Sequence, residues 1–298
     1  MKKYIYLLLI ITLRTSLSCY SIEENSGEIP HGRIESFRYS DSKIFPGTQR
    51  TVTVYIPEQI DSRIPVCVHV QQDGFNPKDN LNLIFDTLNA RKEIPITVGV
   101  FVTPRYLPSN DKNTVGRPNR CFEYDGVGDN YVRFLLEEIL PAVEQNYNLN
   151  LTKNGIDRSI GGISSGGIVA FNAAWERPDA FSRVYSASGS FIGFRAGNMF
   201  PTFIRKTEAK PIRAFLTTGT KDMENYAGDW TLLDMEMDKA LKFSGYDYQF
   251  LMLEGGHGVG WLEHFAEAMR FLWKDWPSKV KAGVSAPRVR DIILPDEG

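Results

Sequence analysis

The chain has 298 residues, 42% of them apolar, and a formal net charge of −2. That is enough apolar material for one large core, and the length suits a single α/β domain better than two small ones. The near balance of charge gives no electrostatic case for nucleic acid as a partner, and no internal repeat, heptad run or low-complexity tract is present.

The first residues read as a targeting segment. Lys2 and Lys3 precede an apolar run from Tyr4 to Leu13 that is too short to span a membrane. Ser16-Leu17-Ser18 is a small-x-small cleavage signal before Cys19, which predicts an exported protein, periplasmic, outer-membrane or secreted. Cys19 also matches a bacterial lipoprotein box, although Ser16 and Arg14 depart from it. A lipid anchor at Cys19 and an ordinary signal peptide both stay open. Ser21 to Pro30 is a polar, flexible lead.

Gly32–Tyr39 and Arg50–Ile56 alternate polar and apolar residues and predict half-exposed antiparallel strands, with Pro46-Gly47 at the turn. Ile64–Gln71 is continuously apolar and predicts a central strand buried on both faces. His69 lies inside it and reads as a packed core residue. The strand runs into Gln72-Asp73-Gly74-Phe75, a glycine turn. Leu81–Ala90 predicts a helix and Ile94–Thr103 another buried strand. Arg105–Arg120 is a polar loop of about 16 residues, long enough to be functional. Asp129–Tyr147 has an amphipathic stripe, and Pro141 should kink it.

Phe181–Ser186 predicts a strand followed by a loop at Ala187–Ile192, and Ile212–Thr218 a strand followed by Gly219-Thr220-Lys221-Asp222. Trp230–Phe243 is helical with Gly245 as its C-terminal stop, and Tyr248–Leu253 is a strand ending in Glu254-Gly255-Gly256-His257. Leu262, Phe265, Met269, Leu272, Trp273 and Trp276 form the stripe of a last helix. Such strand–helix alternation implies right-handed crossovers and a mixed, mostly parallel central sheet flanked by helices. Cys67 reads as a buried small hydrophobe; an export route permits a disulfide with Cys121, which the spacing does not demonstrate. The sequence shows no spacing typical of a metal site and implies no cofactor. It leaves the oligomeric state open.

Gly162-Ile163-Ser164-Ser165-Gly166 is a G-x-S-x-G pattern, preceded by a short buried strand end and followed by the apolar helical run from Ile168 to Trp175. A serine hydroxyl becomes a useful nucleophile when a sharp strand-to-helix turn projects it toward a base. Glycines two residues either side make room for that turn. Ser164, Asp222 and His257 each follow a predicted strand, in the chain order Ser, acid, His. The ligand crevice of an open α/β sheet lies at that edge. His257 would take the proton of Ser164, and Asp222 would fix the imidazole. The Ser165 N–H, with a second from Gly74 or Phe75, would hold an oxyanion. Glu224 is a substitute for Asp222. His264 is a rival for His257, placed on the polar side of the last helix.

With these residues the chain resembles the Putative esterase family of α/β-hydrolases, which contains carbohydrate esterase family one and the enterochelin esterases. Within it the chain is similar to a bacterial branch labelled enterochelin-esterase-like. The resemblance runs from about Gly32 to Trp276. It rests on Val54-Tyr55-Ile56-Pro57, Gln72-Asp73-Gly74, Arg120-Cys121-Phe122-Glu123-Tyr124-Asp125 and Glu138-Ile139-Leu140-Pro141. The elbow with Ala174-Trp175-Glu176-Arg177-Pro178-Asp179-Ala180-Phe181 matches too, as do Gly228-Asp229-Trp230 and Gly255-Gly256-His257. The chain departs from that branch at Cys121, where serine is common, and at Gly258, where asparagine is common.

The resemblance implies the α/β-hydrolase fold, with Ser164 as nucleophile, Asp222 as acid, His257 as base and Trp261 lining the site. With the targeting segment, the chain divides into a signal segment (1–18), a lead (19–31), an esterase domain (32–277) and a tail (278–298). The resemblance implies a serine esterase acting through an acyl-enzyme on feruloyl or acetyl esters of plant polysaccharides, and the targeting segment adds that it is secreted. A siderophore esterase of enterochelin type is the alternative, and a non-catalytic carbohydrate-binding protein the alternative of another class. Acyl transfer also stays open. Arg117, Arg120, Glu123 and Asp125 are expected either to contact substrate or to form a structural ion-pair cluster.

Overall fold

The computed structural model describes residues 28–104, 106–109 and 117–283. The signal segment, Cys19, most of the lead, the middle of the 105–120 loop and residues 284–298 lie outside the described residues. Eight strands form one sheet: β1 (Arg33–Tyr39), β2 (Arg50–Ile56), β3 (Cys67–Gln72), β4 (Thr97–Val102), β5 (Arg158–Ile163), β6 (Arg183–Ala187), β7 (Arg213–Gly219) and β8 (Asp247–Leu253). Their spatial order is β1-β2-β4-β3-β5-β6-β7-β8. The first two strands pair antiparallel, as does β2 with β4, and every pair from β4 to β8 is parallel.

The helices are α1 (Leu81–Ala90), α2 (Arg120–Tyr124), α3 (Asn130–Phe134), α4 (Leu140–Tyr147), α5 (Ser165–Glu176), α6 (Phe200–Lys206), α7 (Trp230–Phe243) and α8 (Phe265–Trp273). Strand residues divide between two cores with period two. Val68, Val70, Val98, Val100, Ile160, Val184 and Leu216 face the larger core, which is shared with α3, α4, α5 and α7. On the opposite face Tyr55, Phe101, Tyr185 and Phe215 meet Leu81, Phe85 and Leu88 of α1 and Phe265, Met269 and Leu272 of α8. Among the described residues, the helices that contribute to this core are α1 and α8.

Several sequence expectations change in the folded chain. β2 is buried on nearly all its residues instead of half-exposed, because both its faces meet a core: Val52, Val54 and Ile56 the larger one and Tyr55 the other. β3 begins at Cys67, after Pro65, which has no N–H for a ladder. Where Pro141 was expected to kink a helix, a π-helical segment at Leu135–Ile139 joins α3 to α4. The widened turn sits directly before the proline, which cannot donate to the preceding turn. The last helix is shorter than its stripe: Leu262 precedes it and Trp276 follows it. Helix α6 was not anticipated. No helix among the described residues is long and apolar enough to cross a membrane.

α2 is tied to the sheet by a buried pair. Arg50 of β2 donates from both Nη atoms to Glu123, at 3.1 and 2.9 Å, with both side chains fully covered. The guanidinium also lies 4.1 Å from the Phe134 ring centroid. Breaking such a pair from one side costs about 3–5 kcal/mol, because the remaining charge stays buried. This pair fixes the helix that begins with Arg120.

Candidate active site

Because β3 and β5 to β8 run parallel, their carboxyl ends gather on one edge, and each gives rise to a turn there. At β5 the turn is Ser164, whose backbone adopts φ 60° and ψ −125°. A side chain is rarely held in this region, and the cost is of order 1–3 kcal/mol. Surrounding bonds hold it. Ser164 N–H donates to Ala187 O at 2.9 Å, while Ser164 O accepts from the N–H groups of Gly167, Ile168 and Ser190 at 2.9, 3.2 and 3.0 Å. The flanking glycines are required by space. A Cβ on Gly162 would stand 2.5 Å from the Gly166 carbonyl, and one on Gly166 would stand 2.8 Å from Asp73 Oδ2.

Asp222 follows β7, and His257 follows β8. Their side chains meet, with His257 Nδ1 at 2.6 Å from Asp222 Oδ1. The Asp222 side chain is fully covered, and that of His257 is 25% exposed. Burial works to raise the Asp222 pKa. Hydrogen bonds from His257, Ser188 and the Met223 N–H outweigh it and hold the carboxyl below its ordinary value. Ser188 also accepts from Gly258 N–H at 2.9 Å, which ties the histidine loop to the end of β6. Glu224 is exposed on a short ribbon and does not take this place. His264 lies at the N-terminal cap of α8 instead of inside it, and its Nδ1 is 2.8 Å from Glu267. His69 is fully buried between Ser159 Oγ (2.9 Å) and Gln71 Oε1 (3.0 Å), and burial lowers its pKa to about 4.

The Ser164 hydroxyl lies 3.3 Å from Ser190 Oγ, and no hydrogen bond among the described residues joins it to His257. Ser190 Oγ in turn accepts from Trp230 Nε1 at 3.2 Å. The Trp230 ring meets the His257 ring edge to face, with centroids 5.9 Å apart. Ser188, Ser190 and Trp230 had no role from the sequence. The signals available were the hydroxyl-rich Ser186-Ala187-Ser188-Gly189-Ser190 run at a strand end and the Gly228-Asp229-Trp230 match.

Ser165 is the first residue of α5, so its N–H has no partner within the helix. The turn after β3 puts Asp73 and Gly74 at φ 68° and 82°. Phe75 packs edge-on to Phe101. Arg120 straps that turn to the elbow. Its Nε and Nη2 reach Asp73 at 2.5 and 2.8 Å, and Nη2 also reaches Ile163 O at 2.9 Å. Its guanidinium therefore links the turn after β3 to the residue before Ser164.

Asp125 corrects the expectation of substrate contact, because it is 1% exposed. Neither carboxylate oxygen has a well-formed hydrogen bond. Burial raises its pKa against the pull of Ser165, Cys121, Arg120 and Arg195. Glu123 is likewise buried, against Arg50. The side chain of Arg117 lies outside the described residues. Trp261 is half-buried in the histidine loop and packs on the same core as Phe75 and Ile163, and its carbonyl accepts from Tyr185 Oη at 2.5 Å. Cys67 and Cys121 are both free. A separate cavity of about 540 Å³, lined by Pro65, Cys67, Ile94, Pro95 and Trp273, lies at the amino ends of β3 and β4 and is lined by none of Ser164, Asp222 and His257.

A family model described as Putative esterase matches residues 42–268. The uncharacterized protein YbbA of Bacillus subtilis (strain 168) is 23% identical over 238 residues, covering 75% of this chain and 92% of that protein. A ferulic acid esterase superposes with a TM-score of 0.64 at 18% identity, over 82% of this chain and 99% of its own. The enterobactin esterase FES of Shigella flexneri, solved in the presence of enterobactin, gives 0.64 at 18% identity, over 82% and 60%. At such identities the likeness establishes the fold, which is that of the α/β-hydrolases.

Proposed function

The chain belongs to the Putative esterase family, and from that premise we propose that it is a serine esterase working through an acyl-enzyme on feruloyl or acetyl esters of polysaccharides. The observation that carries the reading is the 2.6 Å contact of Asp222 with His257, at the same sheet edge as the strained Ser164. In this reading the Ser164 hydroxyl turns from Ser190 to His257 Nε2 and gives up its proton as Oγ attacks the ester carbonyl. The N–H of Ser165, with that of Gly74 or Phe75, stabilises the oxyanion. Collapse of the tetrahedral intermediate expels the alcohol, which takes the proton back from His257. Asp222, ionised and covered, orients the imidazole through Nδ1 and stabilises its charged form. A water, deprotonated by His257, then releases the acid.

The amino-terminal segment, read as a signal, supports export, with or without lipid attachment at Cys19, and so a substrate outside the cytoplasm. A second reading, a siderophore trilactone esterase, is favoured by the likeness to enterobactin esterases. The test is the initial rate of the protein on methyl ferulate and on a short aryl acetate, with Ser164→Ala beside it. Ser164-dependent turnover is expected, with kcat falling by a factor on the order of 10³ or more in the variant. Turnover of a catecholate trilactone alone would move the assignment to the siderophore reading. Turnover that survives Ser164→Ala would sink the nucleophile assignment, and no turnover of any ester would leave a carbohydrate-binding protein.

A further inference from the structure

Aromatic rings run in file outward from the catalytic imidazole. His257 meets Trp230 at 5.9 Å, Trp230 meets Phe194 at 5.7 Å, and Phe194 meets Tyr226 at 5.9 Å. Trp230 is 1% exposed, whereas Tyr226 is 95% exposed. Tyr226 sits at the tip of a two-stranded ribbon, Glu224–Asn225 against Gly228–Asp229, which begins just past Asp222 and ends on Trp230.

The ribbon is pinned. Gly193 N–H donates to Ala227 O at 2.8 Å, Ala227 N–H to Asn225 Oδ1 at 2.8 Å, and Trp230 N–H to Met223 O at 3.0 Å. The apolar rim continues past Phe194, where the next residue, Arg195, lies 4.6 Å from the ring centroid of the exposed Phe122. A lone exposed ring needs no explanation. A ring that ends a contiguous file from the base, on a backbone fixed at three points, is a surface held in readiness.

We propose that Tyr226, backed by Phe194, is a stacking platform for a pyranose ring on the alcohol side of the ester. The side follows from the chemistry, because the alcohol leaves by taking its proton from His257, and the file starts there. The class follows from the shape. The acyl group, a ferulate ring or an acetyl, must lie beside Ser164 in a concave site, whereas Tyr226 stands on a convex ribbon tip at the far end of the ring file. A sugar has one C–H face to lay on a ring while its hydroxyls stay in water, and Tyr226 offers such a face with little desolvation. Its fixed backbone also reduces the ordering cost of binding. This inference rests on the proposed action on carbohydrate esters.

The test compares a feruloylated or acetylated xylo-oligosaccharide with the methyl ester of the same acyl group, so that only the alcohol differs. Tyr226→Ala should raise KM about 3- to 10-fold more for the oligosaccharide ester than for the methyl ester. Tyr226→Phe, which keeps the ring, should stay within about twofold of the native protein. Equal effects on both esters, or no effect on either, would overturn the platform. Weakened turnover of a catecholate trilactone with the sugar ester unaffected would overturn the sugar assignment in favour of an aromatic ring. If the native protein turns over neither ester, the proposed function fails independently. The platform is then judged by calorimetric titration of the free xylo-oligosaccharide, where binding lost in Tyr226→Ala supports it and equal or absent binding in both proteins overturns it.

Discussion

Ser190 Oγ stands between two groups of the site, 3.3 Å from Ser164 Oγ and 3.2 Å from Trp230 Nε1. The Ser164 hydroxyl therefore leans on a second serine and, among the described residues, not on His257. Ser190 is buried, so its hydroxyl is what keeps the Trp230 N–H paired.

That arrangement predicts an asymmetry in stability. Ser190→Ala leaves the indole N–H buried and unpaired and should cost about 1–3 kcal/mol. Adding Trp230→Phe removes the orphaned donor, so the double variant should recover part of the loss relative to additivity. Urea unfolding of the two single variants and the double variant checks this, and strict additivity would contradict the pairing.

Strain at Ser164 makes a separate prediction. Glycine tolerates φ 60°, so Ser164→Gly should be about 1 kcal/mol more stable than Ser164→Ala while being equally inactive. Equal midpoints in denaturant would mean that the elbow is not strained.

The carboxyl of Asp222 is held below its ordinary pKa. A depressed carboxyl stabilises the fold above its unfolded value and loses that contribution as pH falls through the folded value, so it stays ionised at neutral pH. Asp222→Asn keeps the shape but presents the wrong hydrogen-bond partner to His257. It should lower kcat by a factor on the order of 10⁴, measured at neutral pH. Retained turnover with Glu224→Gln inactive would move the role to Glu224.

Arg120 makes three hydrogen bonds that span the turn after β3 and Ile163, the residue before Ser164. Lysine cannot reproduce that fork. If the turn after β3 supplies an oxyanion donor as proposed, Arg120→Lys should lower kcat by about 10- to 100-fold through displacement of that turn. KM for a small ester should change far less. A change in KM alone would instead make Arg120 a substrate contact.

His69 titrates at about 4 in the fold, lowered by burial, against roughly 6.5 when unfolded. The unfolded chain therefore binds the extra proton between those values, and stability should fall as pH drops from about 6.5 to 4. The full penalty is roughly 3 kcal/mol. His69→Gln should flatten that part of the profile, read as Tm against pH, whatever it costs at pH 7. An unchanged slope would mean that other groups carry it.

Most of the fold was legible in the sequence because it is written in local patterns. Continuous apolar runs marked the buried strands, glycines marked the turns, and α1 and α7 end where their stripes end. The elbow was legible for the same reason, since Gly162, Ser164 and Gly166 are near in sequence and their geometry is local. The sequence by itself therefore determined a mostly parallel sheet, a G-x-S-x-G turn and a family resemblance.

Only the tertiary structure decided which far-apart residues meet. It joined Asp222 to His257 and drew His264 away to Glu267. It turned Arg120 inward to Asp73 and Ile163, and buried Asp125 out of a substrate's reach. Periodicity reports which face of an element is apolar, but the partner of a polar side chain depends on how elements stack across the sheet. For the same reason the hydroxyl-rich run holding Ser188 and Ser190, and the Gly228-Asp229-Trp230 match, gave these residues no role. Their importance lies in distances of about 3 Å to residues dozens of positions away, and these exist only once β6 lies between β5 and β7.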